Sequence, residues 1–217
     1  MKVMGSPVST TEEQNWVDIE RGLVSRDVFV DEQIFRAELE RIFDRSWIFL
    51  AHETEIPAAG DFVCRILGSA PTVVVRDDDG SVHALLNSCR HRGTELCRAD
   101  SGHVRNFVCP YHGWTYERNG RLITTGFDRH LARDFDRSQF GLAPVPRLET
   151  YKRLIFGSWN PDVLPLREYL AEIAWYIDPF LCRSPAGMEV LAPPHRWRPR
   201  PIGKSAPSIS SVTASTF

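Results

Sequence analysis

No run of apolar residues in the 217-residue chain approaches the roughly 20 needed to span a bilayer as a helix, so no transmembrane segment is expected. The opening Met1-Lys2-Val3-Met4-Gly5 lacks the apolar core of a secretory signal, and the chain is read as cytoplasmic. Neither sign of charge is in excess: 26 Lys and Arg against 28 Asp and Glu leave a net charge of −2. That balance gives no basic footprint for nucleic acid or an anionic membrane. Cysteine is scarce too, with five residues. With 42% hydrophobic and 25% charged residues, the chain has the composition of a globular protein, long enough for one domain and part of another.

Against that background one stretch stands out. Cys89-Arg90-His91-Arg92-Gly93 and Cys109-Pro110-Tyr111-His112-Gly113-Trp114 each present one thiol and one imidazole, spaced C-x-H and C-x-x-H, with 17 residues between His91 and Cys109. A 2Fe-2S cluster with two thiolates on one iron and two neutral histidines on the other requires this donor set. Its potential is roughly −150 to +300 mV, against about −400 mV for all-cysteine plant-type clusters. A closed tetrahedral zinc site is the rival, since two Cys and two His also satisfy zinc. Zinc knuckles usually pair like with like, whereas both loops here mix sulfur and nitrogen. Gly93 and Gly113 follow the histidines, where the backbone must turn tightly. With Cys89 and Cys109 so used, Cys64, Cys97 and Cys182 remain as free thiols, most simply small buried apolar residues.

The rest of the chain supplies the frame. Residues 1–30 carry scattered apolar positions and predict irregular chain with a short helix. Asp31 is placed to cap a helix over residues 31–44, whose Phe35, Leu39, Ile42 and Phe43 form a stripe predicted to pack in the core. Residues 62–67, 72–76 and 82–86 read as strands, with Asp77-Asp78-Asp79-Gly80 as a hairpin turn, and residues 114–117 and 121–123 flank a second hairpin at Asn119-Gly120. Residues 154–159 predict a closing strand. Pro165 opens a helix with Leu166, Leu170, Ile173, Ala174 and Ile177 on one face, which Pro179 should end, and a strand-like Met188-Glu189-Val190-Leu191 follows. Asp128, His130, Asp134 and Asp136 lack convergent spacing and are read as a solvated loop rather than a metal site. From Arg198 the apolar pattern is lost, and seven of the thirteen residues 205–217 are Ser or Thr, the composition of a disordered tail.

The two loops resemble those of the Rieske family. Leu86-Asn87-Ser88-Cys89-Arg90-His91-Arg92-Gly93, with Tyr111-His112-Gly113-Trp114, is similar to the large (alpha) subunit of bacterial aromatic-ring-hydroxylating dioxygenases of the naphthalene, biphenyl and toluene type. The resemblance implies a mostly β fold, in which an antiparallel β-sandwich with two cluster-binding loops is flanked by helices of an incomplete α+β catalytic domain. The implied division is an N-terminal helical segment (1–45), a Rieske 2Fe-2S domain (46–162), the start of a catalytic domain (163–197) and an aberrant tail (198–217). Cys89, His91, Cys109 and His112 would be the cluster ligands. Respiratory members carry an extra cysteine in each loop and a serine that hydrogen-bonds the cluster. Thr94, Tyr111 and Trp114 stand there instead, which implies a potential toward the reducing end of the Rieske range.

Further implications concern partners. An NADH-dependent reductase, with or without a ferredoxin, would deliver electrons one at a time, and a mononuclear Fe(II) would use them with oxygen to cis-dihydroxylate an aromatic ring. The full-length protein would belong to an alpha/beta oligomer. That iron needs two histidines and a carboxylate. His52, His83, His103, His130 and His195 show no such arrangement, so the chain is expected to lack that site and to be inactive alone. Codons for residues 201–217 can be chosen whose displaced frame spells N-W-K-I-G-A-E-H-F-I-G-D-C-F-H, the form of the family's iron-ligating segment, so a frameshift near Trp197 is expected. A freestanding Rieske electron carrier is the alternative, and a zinc clamp in an interaction protein is a third.

Overall fold

The computed structural model describes residues 16–192. The expectations for residues 198–217 and for His195 lie outside them. The chain divides into two compact units, one of which contains residues up to Ala37 and the other Glu38–Pro193.

In the first unit the expected irregular segment is a small hairpin, β1 (Val17–Asp18) against β2 (Leu23–Val24), and then a 3-10 turn over Arg26–Phe29 capped by the Ser25 side chain. Helix α1 (Glu32–Glu38) begins as its sequence predicts, with Asp31 Oδ1 accepting from Gln33 N at 2.7 Å and Ile34 N at 3.0 Å. It does not continue as an α-helix to Asp44. Leu39–Phe43 forms a π turn, whose wider winding breaks the i, i+4 register. The apolar stripe therefore fails to enter the core: Ile42 is 52% and Phe43 41% exposed.

The second unit is built from antiparallel strands: β3 (Ile48–His52), β4 (Asp61–Leu67), β5 (Ala70–Arg76), β6 (Val82–Leu86), β7 (Ser101–His103), β8 (Phe107–Val108), β9 (Thr115–Tyr116), β10 (Leu122–Thr124), β11 (Arg147–Tyr151) and β12 (Leu154–Ser158). A central sheet runs β6-β5-β4-β7, with three-stranded sheets β11-β12-β3 and β10-β9-β8 accompanying it. Both expected hairpins are present. Gly80 and Gly120 turn at φ 84° and 91°, and β5 pairs with β6 and β9 with β10 across them.

The central sheet is covered on both faces, and the alternation of its side chains says by what. Phe62, Val73, Val75 and Leu85 point into a core shared with Cys89, Cys97, Cys109, Trp114 and Tyr116. Val63, Val74 and Ala84 point into a second core with Leu50, Ala51 and Ile155 from β3 and β12. This double cover explains the unbroken apolar run Val73-Val74-Val75, which a one-sided strand would interrupt with polar residues. Burying each such side chain contributes about 1.5–3 kcal/mol.

A third cluster joins Trp47 to Val163 and Leu166, and Trp47 Nε1 donates to Leu164 O at 2.8 Å. The single helix expected after Pro165 is two: α2 (Leu166–Leu170) stops where Ala171 takes φ 43°, and α3 (Ile173–Leu181) starts after it. Arg167 Nη1 bonds Ala171 O at 3.0 Å and helps hold the break. Pro179 lies inside α3 rather than ending it; the helix runs on to Leu181, and Cys182 N donates to Asp178 O at 2.8 Å. Met188-Glu189-Val190-Leu191 is not a strand, although Val190 N donates to Thr54 Oγ1 at 3.0 Å.

Candidate metal centre

The two motifs fold as loops of the same backbone form. In the first, Cys89 N donates to Thr94 O at 2.8 Å and Gly93 N to Cys89 O at 2.8 Å; in the second, Cys109 N donates to Trp114 O at 2.7 Å and Gly113 N to Cys109 O at 3.0 Å. Each loop thus closes on itself over the same number of residues. Both glycines take φ 72°, a left-handed conformation that costs an L-residue about 1–2 kcal/mol. The congruence is not visible in the C-x-H and C-x-x-H spacings, because the histidine sits one residue later in the second loop.

These loops place the expected donors in two pairs. Cys89 and Cys109 are buried in one core, and the His91 and His112 rings meet edge-on with centroids 4.7 Å apart. His112 Nδ1 is buried with no hydrogen-bond partner. An orphaned buried nitrogen of this kind costs about 1–3 kcal/mol unless something coordinates or bonds it. Two buried sulfurs and a facing pair of imidazoles are the donor set of a 2Fe-2S cluster with mixed ligands. Among the described residues no three His, Cys, Asp or Glu side chains converge as a single metal ion would need. Donors split two and two suit a dinuclear group better than one zinc.

Three residues around the donors have roles that the sequence did not assign to them. Tyr116, fully buried on β9, has its hydroxyl 3.2 Å from Cys89 Sγ and accepts from Arg90 N, also at 3.2 Å. Either atom can donate while Cys89 is a thiol; toward a Cys89 thiolate the phenol is necessarily the donor. Burial, followed by the Cys89 hydrogen bond, raises the Tyr116 pKa well above the ordinary tyrosine value, so the hydroxyl stays a donor. Trp114 stacks on His91 with centroids 5.1 Å apart and planes 4° from parallel. Desolvation, the facing His112 and Arg92 together hold His91 below its ordinary pKa, favouring the neutral ring a metal requires.

Asn87 is the third. It is buried, and its Oδ1 accepts from Leu96 N at 3.2 Å and Cys97 N at 3.0 Å while Nδ2 donates to Cys97 O at 2.7 Å and Glu95 Oε1 at 3.3 Å. This amide clamps the chain on both sides of the first loop. The signal for Tyr116 was its place two residues after Trp114, and both enter one core; nothing in the sequence announces the Asn87 clamp.

The acidic loop is structural. Asp128 accepts from Thr125 N and Oγ1 and pairs with Arg137, while Asp136 caps the 3-10 turn Arg137–Phe140 through Ser138 N. The backbone bond from Thr125, then the side-chain bonds from Thr124 and Thr125, hold the Asp128 pKa far below the usual carboxylate range. His83 pairs with Asp77 at 3.4 Å and His103 with Asp61 at 3.0 Å. No described helix is long and apolar enough to cross a membrane.

Comparison with known proteins agrees with the loop geometry. Residues 46–133 match the Rieske 2Fe-2S domain family. The chain is 41% identical over 181 residues to the alpha subunit of biphenyl 2,3-dioxygenase of Rhodococcus jostii, covering 83% of this chain and 39% of that one. It is 42% identical over 180 residues to the alpha subunit of an N,N-dimethyl phenylurea N-demethylase of a Sphingobium species, covering 82% and 39%. Naphthalene 1,2-dioxygenase from a Rhodococcus species superposes with a TM-score of 0.76 at 42% identity, over 80% of this chain and 40% of that one. The chain therefore spans about two-fifths of the length of these relatives.

Proposed function

As this chain carries a Rieske 2Fe-2S domain and is homologous to the alpha subunits of aromatic-ring-hydroxylating dioxygenases, we propose that it is the electron-accepting portion of such a subunit, held for its task by Cys89, Cys109, His91 and His112. In this reading Cys89 and Cys109 would hold one iron of the cluster and His91 and His112 the other. The cluster supplies reversible one-electron transfer. The observation that carries the assignment is the orphaned buried Nδ1 of His112 against the His91 ring, on two loops of matching backbone form that each also carry a buried thiol.

The chain's own residues then have definite work. Tyr116 holds its proton toward Cys89 Sγ, stabilising negative charge on that sulfur. Trp114 fixes the plane of His91 and keeps water from one face of the ring. Tyr111 lies over His112 with centroids 3.7 Å apart and is 58% exposed, so an aromatic surface leads from solvent to a ligand. The rigid sheet beneath leaves little to reorganise as charge changes.

The electron source is proposed to be an NADH-dependent reductase, with or without a ferredoxin. The ring oxidation, cis-dihydroxylation of an aromatic hydrocarbon, is assigned to the mononuclear iron implied by the family resemblance and not to residues described here, so this chain alone is proposed to be inactive. Because one relative is named for N-demethylation, the substrate assignment is tested separately from the electron-transfer role. The third core, around Trp47, Val163 and Leu166, and homology over 83% of the chain favour a subunit portion over a freestanding carrier.

The test is anaerobic reconstitution with iron and sulfide. About two irons per chain are expected, with a reduced-state EPR signal of low average g, and both are lost in H112A. Absence of iron, or a zinc-loaded and EPR-silent product, rejects the reading. Reduction by NADH through a dioxygenase reductase and ferredoxin tests the donor assignment. Diol formation from naphthalene or biphenyl by the purified chain would overturn the assignment of ring oxidation elsewhere.

A further inference from the structure

Two thiols that the metal centre does not use meet beside it. Cys64 on β4 faces the same side as Phe62, into the core that contains both ligand cysteines, and Cys97 is buried in that core. Cys64 Sγ donates to the Cys97 carbonyl oxygen at 3.6 Å. Their backbones are held together from two directions. Cys64 N donates to Asp100 O at 2.7 Å, and the Asn87 amide that grips Cys97 O approaches Cys64 Sγ at 3.8 Å. The remaining free cysteine, Cys182, is exposed and lies outside this core.

We propose that Cys64 and Cys97 are a peroxide-sensitive dithiol whose oxidation to a disulfide staples the segment after the first ligand loop to β4. Cys64 is only partly buried and so is the thiol that peroxide reaches first. Interaction with the Cys97 side chain holds its pKa below the ordinary thiol value, while the same interaction and then burial raise that of Cys97, which makes Cys64 the readier thiolate. Its sulfur attacks one oxygen of hydrogen peroxide, forming a sulfenic acid and releasing hydroxide. The Cys97 thiol then displaces the sulfenic oxygen, forming the S–S bond. In sum two thiols and one hydrogen peroxide give one disulfide and two waters.

The link would close a ring in which Asn87 and Cys97 bracket the loop bearing Cys89 and His91. Its effect on the metal centre rests on the cluster reading above; the cross-link itself does not.

The test exposes the full, cluster-loaded chain to equimolar hydrogen peroxide, then unfolds, alkylates, digests and maps it by mass. A dithiothreitol-reversible peptide pair containing Cys64 and Cys97 is expected, absent from C64S and C97S, with C64A as a second variant checked for fold by circular dichroism. Oxidised wild type should release iron to a chelator several-fold more slowly than reduced wild type, a difference absent in C64S. Full alkylation of both thiols, or sulfinate on Cys64 with no cross-link, overturns the proposal. An unlinked pair in a chain with normal iron content rejects the dithiol alone. A linked pair in a chain that never takes up iron supports the dithiol and rejects the cluster reading.

Discussion

The indole of Trp114 lies parallel to the imidazole of His91, the planes 4° apart. Trp114 is itself gripped edge-on by Phe140, at 5.8 Å, and Phe135, at 6.4 Å, so the histidine inherits its orientation from a packed aromatic cluster and not from its exposed loop.

Replacing Trp114 by Leu should free the His91 ring. An aromatic pair of this kind is worth about 0.5–1.5 kcal/mol, which predicts iron loss to a chelator roughly 2- to 10-fold faster, with Trp114→Phe recovering most of the difference. Equal rates in the three proteins would show that the stack does not hold the ring.

Tyr116→Phe keeps the ring in its buried place and removes one hydroxyl. A donor aimed at sulfur stabilises the state with the extra electron, so its loss lowers the reduction potential. One hydrogen bond of about 1 kcal/mol corresponds to about 40 mV for a single electron. A redox titration followed by circular dichroism checks this, and an unchanged or raised potential contradicts it.

Asn87→Leu should be among the most damaging polar substitutions. It leaves the N–H groups of Leu96 and Cys97 and the Cys97 carbonyl without the partner they now have. The expected loss is about 2–4 kcal/mol in urea unfolding. An Asn87→Asp variant should also be destabilised, because its buried carboxylate would face the Cys97 carbonyl and the Glu95 carboxylate that now accept from the amide.

His52 predicts a pH dependence. It is buried, and its Nδ1 accepts from Thr54 N at 3.2 Å, which requires an unprotonated nitrogen there. Burial first and Arg153 second hold its folded pKa below the ordinary 6.5. The unfolded chain therefore binds more protons below about pH 6.5, so this contribution to stability is present above that value and is lost as pH falls toward the folded pKa. Urea midpoints between pH 7.5 and 5.5 should fall for wild type and fall less for His52→Gln. Parallel curves would exclude His52 as the source.

Strands with strong β-branched content and a glycine turn were legible in the sequence: β5 and β6 lie where their residues predict, as do the hairpins at Gly80 and Gly120. The two mixed Cys and His motifs stood out because sulfur and nitrogen at that spacing narrow the chemistry sharply, while the matching backbone form of their loops did not show in the spacing. What could not be read depended on partners far along the chain. Strand β3, Ile48–His52, pairs with β12 more than a hundred residues later, and its own sequence, ending in His52, shows no clean alternation. The break at Ala171 also escaped, since the apolar spacing of Leu166, Leu170, Ile173 and Ala174 suits one helix as well as two. Tyr116 and Asn87 share that limit: their importance lies in atoms across the fold from them.

The central sheet acts as a party wall between two hydrophobic rooms, Val73 and Val75 facing one and Val74 the other. A vacancy opened on the side away from the loops, as by Val74→Ala, has no independent layer in which to dissipate. Heating should accordingly bleach the visible colour of the loaded protein and erase its far-ultraviolet strand signal together, in one transition rather than two.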